Sequence, residues 1–317
     1  MIISASRRTD IPAFYSHWFM KRVKAGFVDV INPFNRLQVS RVSLQPKDVD
    51  CIVFWTKNAE PMFPYLATLD RLGYKYYFQF TITPYGTEIE PGIGEKGKIV
   101  QIFQKLSQIL GKKRVVLRYD PIFITSRYTI AWHVKAFKRL MALLSTYTDC
   151  CVISFLDFYK RNSRNLTYLQ IKPMNEGEMK KIAAQFSKIA QDYAVPLQTC
   201  AEAIDLKSYG ILHGACIDRK HIEQAMGCQV EIKKDTTQRP FCGCMKSVDI
   251  GQYNTCRHFC KYCYANFNQQ VTAVSCQEHD DDSTLLSGKL RGDEKINWRK
   301  IEHVKIFPDQ SEMYSLF

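Results

Sequence analysis

Three cysteines in the C-terminal part of the chain have the spacing of an iron–sulfur site. Cys256, Cys260 and Cys263 are separated by three and then two residues. Three thiolates on one short loop can bind three corners of a [4Fe–4S] cube, and the fourth iron is then left without a protein ligand. An open iron lets a cluster bind a small molecule instead of only storing an electron. The spacing therefore predicts a [4Fe–4S] cluster that takes part in chemistry.

The residues around these cysteines resemble the signature of the radical S-adenosylmethionine (SAM) superfamily. An aromatic residue typically precedes the last cysteine in that signature, and Tyr262 fills this place. The flanking Tyr-Asn-x-Cys and Tyr-Cys-Tyr-Ala sequences are most similar to the branch that contains spore photoproduct lyase. The resemblance implies that SAM binds the free iron through its amino and carboxylate groups. It also implies that an electron, supplied by an external donor such as flavodoxin or ferredoxin, cleaves SAM to a 5′-deoxyadenosyl radical.

The whole chain, from the run Ser4 to Asp10 to the late cysteines, also resembles an uncharacterised bacterial family described by radical-SAM-like C-terminal cysteines. Typical radical SAM enzymes carry the motif after the first barrel strand, near the N-terminus, whereas here it lies near the C-terminus. A strand over Met245–Ile250 would still place the motif directly after a strand. The fold would then be circularly permuted, with this last strand lying beside the first.

A zinc site is the alternative for the same loop. The residues Cys242, Cys244, His258 and Cys276 add to the three motif cysteines and offer enough ligands for tetrahedral zinc. Structural zinc sites usually use two cysteine pairs, and a loop with three cysteines fits that pattern poorly. We therefore expect a cluster rather than zinc.

Four cysteines outside the motif offer a second site. Cys200 ends a predicted strand, Cys216 follows a short way beyond it, and Cys242 and Cys244 form a Cys-x-Cys pair. Four thiolates have the chemistry to hold an auxiliary [4Fe–4S] cluster or a zinc ion. We expect the two Cys-x-Cys residues to reach the same end of the barrel as Cys200 if the eighth strand lies at Gln229–Ile232.

The pattern of apolar residues predicts repeated strand–helix units, which indicate parallel strands with helices outside them. The predicted strands are Met1–Ala5, Phe27–Ile31, Cys51–Thr56, Tyr76–Ile82, Arg114–Tyr119, Cys150–Leu156 and Pro196–Cys200, with an eighth at Met245–Ile250 or Gln229–Ile232. The predicted helices are Phe14–Lys24, Pro61–Leu72, Lys98–Leu110, Thr129–Tyr147 and Glu176–Tyr193.

We expect an α/β fold, a (βα) TIM-type barrel that is closed or partly open; a doubly wound open sheet is the alternative. The barrel would occupy residues 1–250. A cysteine-rich loop over residues 251–276 would pack on its mouth, and residues 277–317 would form a C-terminal tail that begins with a solvated linker.

In parallel barrels the chemistry sits where the strands end. Arg118 and Asp120 at the end of the fifth predicted strand are our catalytic candidates. The residues expected to bind the cofactor are Ser6, Arg7, Arg8, Asp10 and Tyr262. The other polar residues at predicted strand ends are Asn32, Asn35, Thr56, Lys57, Asn58, Asp157, Thr199 and Glu202. Structural ion pairs, Arg7 with Asp10 and Arg118 with Asp120, are the alternative.

The composition favours a negatively charged partner. The 317 residues include 44 Lys and Arg against 31 Asp and Glu, a net charge of +13. Such a field favours an anionic substrate, to which Arg7, Arg8 and Arg118 would bind, or nucleic acid. The surplus of Tyr and Phe would permit base stacking. The alternative function is therefore a nucleic-acid-binding protein, active in DNA or RNA repair or modification, with a structural iron–sulfur or zinc site.

The sequence indicates a cytoplasmic protein. No stretch of about 18 apolar residues is present, so we expect no membrane span. The N-terminal segment turns polar too soon for a signal peptide. Cysteines stay reduced in the cytoplasm, and six of the twelve lie between residues 242 and 276. This clustering favours metal binding over disulfide bonds.

Overall fold

The computed structural model describes residues 1–307, and its central element is a sheet of eight parallel strands. In spatial order these strands are β11 (Val248–Asp249), β1 (Ile2–Ala5), β4 (Cys51–Thr56), β5 (Tyr76–Thr81), β6 (Val115–Ile122), β7 (Cys151–Phe155), β8 (Leu197–Cys200) and β9 (Leu212–Gly214). Each strand is parallel to the next. The predicted α/β class is confirmed, and the sheet is consistent with a TIM-type barrel. Ile3 of β1 pairs with Val248, so the last strand lies beside the first, as predicted.

The described part of the chain contains nine α-helices. They are α1 (Ile11–Phe14), α2 (Ser16–Ala25), α3 (Phe63–Arg71), α4 (Lys96–Leu110), α5 (Ile130–Leu144), α6 (Ser163–Tyr168), α7 (Glu176–Asp192), α8 (Arg219–Met226) and α9 (Gln269–Gln277). Helices α2, α3, α4, α5 and α7 match the five predicted helices closely. Asn175 caps α7 in a capping box with Glu178, and α2 ends at Gly26, whose φ of 80° is the left-handed conformation that glycine adopts freely.

Residues alternate between two faces along each strand, and the two faces serve different purposes. Phe78 and Phe80 of β5 lie in the main apolar core, where α4, α5 and α7 also bury their apolar sides. Tyr77 and Gln79 point to the opposite face, where both donate hydrogen bonds to the carbonyl of Cys216. A polar side chain in a central strand therefore marks the inner face of the sheet.

An irregular segment fills the gap between the two ends of the sheet. Among the described residues, β9 and β11 are not hydrogen-bonded to each other. The chain that leads into β11 lies against the chain that leaves β9: the Met245 amide donates to the Ile217 carbonyl at 2.8 Å. The Ile217 amide lies 3.5 Å from the Cys244 sulfur. Strand pairing among the described residues therefore leaves the sheet open between β9 and β11, and the segment before β11 contacts the chain after β9 across this gap.

Two predicted barrel strands lie outside the main sheet. Phe27–Ile31 belongs to β2 (Phe27–Asn32), which pairs antiparallel with β3 (Asn35–Ser43). Only two residues connect these strands, which is enough for a hairpin but far too short for a parallel crossover. Asn32 and Asn35 are therefore not at the barrel mouth. Gln229–Ile232, our alternative eighth strand, forms β10 (Gln229–Glu231) in a separate two-stranded sheet.

The residues after Cys276 pack on the barrel and contribute two strands. Beyond the predicted linker, Leu285 and Leu286 are buried, and Trp18 donates a hydrogen bond to the Ser283 carbonyl at 2.9 Å, so the chain that follows the linker is packed. β12 (Lys295–Trp298) extends the β2–β3 sheet, and β13 (Lys305–Phe307) pairs with β10. The remaining predicted tail, residues 308–317, lies outside the described residues. No helix within residues 1–307 is long and apolar enough to cross a membrane.

Candidate functional site

The cysteine motif forms a loop that starts beyond the C-terminal end of β11 and returns to its own base. The Asn254 amide donates to the Ala265 carbonyl at 2.9 Å. The Asn266 side chain accepts from the Cys256 amide at 3.3 Å and donates to the Cys256 carbonyl. Asn254 has a φ of 54°, a left-handed conformation in which asparagine is enriched. The protein chain therefore shapes this loop through its own hydrogen bonds.

The sulfur atoms of the motif lie close to hydrogen-bond donors of the backbone. Burial raises the pKa of the Cys256, Cys260 and Cys263 thiols; charge on Cys260 and Cys263 raises that of Cys256 further, and charge on Cys263 raises that of Cys260. The amide of Ala265 lies 3.3 Å from the Cys263 sulfur, and the amide of His258 acts on the Cys256 sulfur; both lower the pKa of the thiol that they face. Such N–H groups stabilise thiolate ligands.

The donor set of the loop consists of three cysteine thiols. Among residues 1–307, no group of three or more His, Cys, Asp or Glu side chains is arranged to hold a metal ion. A zinc ion draws its thiolates together, because each zinc–sulfur distance is about 2.3 Å. A cubane binds each cysteine at a separate iron and so needs a wider arrangement. Thiol-only ligands, their spacing and the N–H donors around them are the features that fit a cluster.

Asp10 connects the first strand to the cysteine loop. Its carboxylate caps α1 by accepting from the Ala13 amide at 2.9 Å, and it also accepts from the Lys57 amide at 2.7 Å. The same carboxylate lies 2.8 Å from Nε2 of His258, which sits inside the motif between two of its cysteines. Asp10 is therefore joined to His258 rather than to Arg7, the partner that we considered from the sequence. It positions the loop through that histidine.

Gly92 lies against the same part of the loop. Its amide donates to the His258 carbonyl at 2.9 Å. A Cβ atom at this position would lie 2.4 Å from the Arg257 carbonyl oxygen and 2.7 Å from the His258 Cα atom. Both are backbone atoms that cannot rotate away. This close approach needs glycine.

Alanine at position 92 is expected to displace the cysteine loop and to lower the iron content of anaerobically purified protein severalfold. Far-ultraviolet circular dichroism should stay close to wild type, because Gly92 precedes α4 and lies outside the parallel sheet. Gly94→Ala is the matched control, since a Cβ atom there meets nothing within 4 Å. Equal iron in both variants would show that this packing does not hold the loop in place.

Glu90 is the most buried charged residue beside the motif. Its carboxylate lies 2.9 Å from Lys57 Nζ and 2.5 Å from Lys96 Nζ, and it accepts from Thr83 Oγ1 at 2.6 Å and from the Tyr262 hydroxyl. Burial alone raises the pKa of Glu90, but the two ammonium groups lower it to about 2. The predicted cofactor residue Tyr262 is thus fixed by an ionised carboxylate from the loop after β5.

Asp249 organises the predicted cofactor residues at the end of β1. Its carboxylate accepts from Ser4 Oγ at 2.9 Å, from Ser6 Oγ at 2.6 Å and from the Arg7 amide at 2.9 Å. The guanidinium groups of Arg7 and Arg8 lie 3.8 and 3.9 Å from it. Ser6, Arg7 and Arg8 are therefore brought together at the junction of β1 and β11, close to where the cysteine loop begins.

The catalytic candidates Arg118 and Asp120 form an ion pair within β6, which runs on to Ile122 rather than ending at Tyr119 as predicted. Arg118 is buried, and it also donates to Gln79 Oε1 at 3.3 Å and to the Cys216 sulfur at 2.9 Å. Burial by itself would lower the pKa of Arg118, but the thiols and Asp120 raise it well above its ordinary value. Arg118 therefore lies on the inner face of the sheet, where it reaches the second group of cysteines.

The structure brings Cys200, Cys216, Cys242 and Cys244 together, as the second predicted site requires. All four are buried. The Cys200 and Cys216 sulfurs are 2.7 Å apart, and Cys244 is hydrogen-bonded to both Cys216 and Cys242. They meet even though the strand at Gln229–Glu231 is outside the barrel, because the segment before β11 runs alongside Ile217. That these four cysteines bind a metal remains a prediction.

Three residues of the candidate site were missed by sequence reasoning: Glu90, Gly92 and Asp249. Glu90 and Gly92 belong to the loop after β5, whose composition of turn residues gave no sign that it meets the motif. Asp249 lies in the predicted eighth strand, and a charged residue at a strand end next to the motif was the signal available.

Comparison with known proteins identifies the family of the chain. The model of a domain of unknown function, DUF1848, matches residues 2–265, a range that includes the cysteine motif. No curated protein matches the chain. A solved structure with some similarity is the HpcH/HpaI aldolase from Desulfitobacterium hafniense DCB-2, at 10% identity over 67% of this chain and 85% of that chain, with a TM-score of 0.26. A TM-score this low says nothing about function. Because the family model covers most of the sequence, the chain belongs to the DUF1848 family.

Proposed function

We propose that the protein is a radical SAM-type enzyme whose [4Fe–4S] cluster is held by Cys256, Cys260 and Cys263. The observation that carries the proposal is the placement of this loop. It follows the strand that pairs with β1 and lies at the ends of the parallel strands, where barrel enzymes do their chemistry. When bound, the cluster would bind SAM at its free iron and supply the electron that cleaves it to a 5′-deoxyadenosyl radical.

The neighbouring residues support this role by fixing the loop and excluding water. Cys260 and Tyr262 are buried among aromatic side chains that include Tyr85 and Phe123. Glu90 holds the Tyr262 hydroxyl, and Asp10 holds His258. A reactive radical needs such an enclosed and rigid surrounding, because mobile groups and entering molecules with weak C–H or S–H bonds would quench it.

The position of β11 supports a circularly permuted barrel. In this reading β11 takes the place of the first strand of typical superfamily members, and β1 takes the place of the second. The Val248–Ile3 and Asp249–Ser4 pairs bring the strand that carries the motif next to the N-terminal strand. The permutation would explain why a motif at the C-terminal end of the sequence still follows the end of a barrel strand.

An anionic substrate is favoured by the arginines around Tyr253. The guanidinium carbons of Arg8 and Arg161 lie 5.1 and 5.0 Å from the centre of its ring. Two cations that share one aromatic ring are poorly neutralised by it, so a phosphate or carboxylate between them would gain charge-assisted hydrogen bonds. Tyr253 lies only three residues before the first cysteine of the motif.

A nucleic-acid-binding protein is the second candidate, and the same surface favours it. Arg161 also lies 5.2 Å from the ring of Phe267, and Phe267 and Tyr168 are exposed. Alternating arginine and aromatic side chains of this kind bind phosphates and stack on bases in single-stranded nucleic acid.

The test is reductive cleavage of SAM. Anaerobic protein with reconstituted iron and sulfide, given dithionite and SAM, is expected to release 5′-deoxyadenosine and methionine, and Cys263→Ser is expected to release neither. Cys228→Ser, which changes a half-exposed cysteine away from the motif, should keep the activity. Tight binding of labelled single-stranded DNA without any 5′-deoxyadenosine would support the second candidate and overturn the first.

A further inference from the structure

Four buried cysteines near the ends of β8 and β9 contact one another and take no part in the proposed cluster. They come from three separate stretches of chain: Cys200 ends β8, Cys216 follows β9, and Cys242 and Cys244 precede β11. Their sulfurs contact one another: Cys216 is hydrogen-bonded to both Cys200 and Cys244, and Cys244 is hydrogen-bonded to Cys242. The closest contact, 2.7 Å, joins Cys200 and Cys216. A disulfide bond is about 2.05 Å long, so side-chain movement of less than about 1 Å would close it.

Positive charge is concentrated around this pair. Arg118 donates to the Cys216 sulfur at 2.9 Å and also acts on Cys200. Arg7 acts on both Cys244 and Cys216 from the other side. Buried guanidinium groups favour thiolate over thiol, and the thiolate is the form that attacks a disulfide. In Cys51 of β4, an ordinary core cysteine, burial and Asp50 raise the pKa, and the smaller opposing effects come from the Ile52 backbone and the N-terminal ammonium.

We propose that Cys200 and Cys216 form a redox-active dithiol that is oxidised reversibly to a disulfide by exchange with an external disulfide. The inference goes beyond the proposed function and does not depend on the cluster. The geometry that favours a pair is the contact itself, because the Cys200 and Cys216 sulfurs are already within 2.7 Å of each other.

The exchange balances in two steps. The Cys200 thiolate attacks one sulfur of the external disulfide, which forms a mixed disulfide and releases one external thiolate. Cys216 then loses its proton and attacks the Cys200 sulfur, which forms the internal disulfide and releases the second external thiolate. The external disulfide gains two electrons, the pair loses two, and the proton of Cys216 goes to a departing thiolate. The second step is intramolecular, so the mixed disulfide is not expected to accumulate.

To test this, anaerobic full-length protein is treated with 4,4′-dithiodipyridine and the remaining thiols are blocked. The peptides are then mapped by mass spectrometry. We expect a Cys200–Cys216 linked peptide with no pyridine adduct on either residue. In Cys216→Ser, that linked peptide should be lost and Cys200 should keep the adduct. Cys150→Ser, which changes another buried cysteine, should leave the linked peptide unchanged.

Two outcomes would overturn the proposal. One is wild-type protein in which Cys200 and Cys216 carry separate adducts or stay as free thiols. The other is a protein that contains zinc or iron and loses this metal in Cys200→Ser but keeps it in Cys260→Ser. Such a result would show that the four cysteines bind the metal. The Cys200–Cys216 linked peptide should also form in Cys260→Ser, because the dithiol does not depend on the cluster. The experiment therefore tests the dithiol separately from the proposed cluster.

Discussion

Serine in place of Cys260 is expected to remove the iron of the protein almost completely. Wild-type protein should contain roughly four irons per chain, since one cubane fills the loop. A serine hydroxyl is a poor ligand for iron compared with a thiolate, and two cysteines cannot hold a cube that already lacks its fourth ligand. The measurement is iron and acid-labile sulfide per chain after anaerobic purification, with Cys228→Ser as the control that should keep the wild-type content.

The same variant should keep its fold. Cys260 lies in the loop after β11, outside the strands that form the main core. We therefore expect the circular dichroism spectrum and the size-exclusion volume to match those of wild-type protein. Unchanged iron in Cys260→Ser would remove this cysteine from the cluster, whereas a zinc content near one per chain in wild-type protein would replace the cluster with a zinc site.

Glutamine in place of Glu90 is expected to destabilise the protein by about 3 kcal/mol, because it leaves Lys57 and Lys96 without their buried counter-charge. Glu88→Gln is the matched control from the same loop. Glu88 is half-buried: it accepts a hydrogen bond from the Tyr128 hydroxyl and pairs with the exposed Arg127, and an ion pair at the surface is worth about 1 kcal/mol or less. Urea unfolding of both variants measures the difference. Equal losses in the two variants would contradict the account of Glu90.

The pH dependence of stability provides a second readout for Glu90. Its pKa is lowered from 4.5 to about 2 in the folded protein. The stability that this carboxylate contributes is therefore present above pH 4.5 and is lost as the pH falls through its folded pKa. The shift corresponds to about 3 kcal/mol, at about 1.4 kcal/mol for each pKa unit. Wild-type protein should lose more unfolding free energy between pH 5 and 2 than Glu90→Gln, and identical pH profiles would contradict this.

The sequence predicts the parallel sheet well where strand and helix alternate at regular intervals. The pairing of β11 with β1 could be foreseen because the family resemblance implies that the motif follows a barrel strand, and Met245–Ile250 comes shortly before the motif. The strand Phe27–Ile31 was misplaced because its apolar pattern suits a hairpin as well as a barrel, and only the short connection to β3 decides between them. β9 was missed because three residues, of which the last is Gly214, carry no pattern.

The site was predictable only in part, for a physical reason. Cysteine spacing lies within one loop and can be seen in the sequence. The carboxylates that hold this loop come from distant segments: Asp10 from the turn after β1 and Glu90 from the loop after β5. Sequence reasoning placed Asp10 at the mouth but assigned it to the cofactor. Its partner His258 could be identified only once the fold had brought two segments 248 residues apart into contact.

The proposed enzyme requires Cys256, Cys260 and Cys263 to hold a cluster with one iron open to SAM. The most direct test is electron paramagnetic resonance of the dithionite-reduced protein, with and without SAM. We predict the signal of a reduced [4Fe–4S] cluster whose g-values shift when SAM is added, because SAM binds at the open iron. An iron-free protein with no such signal, or a cluster signal that SAM leaves unchanged, would contradict the proposal.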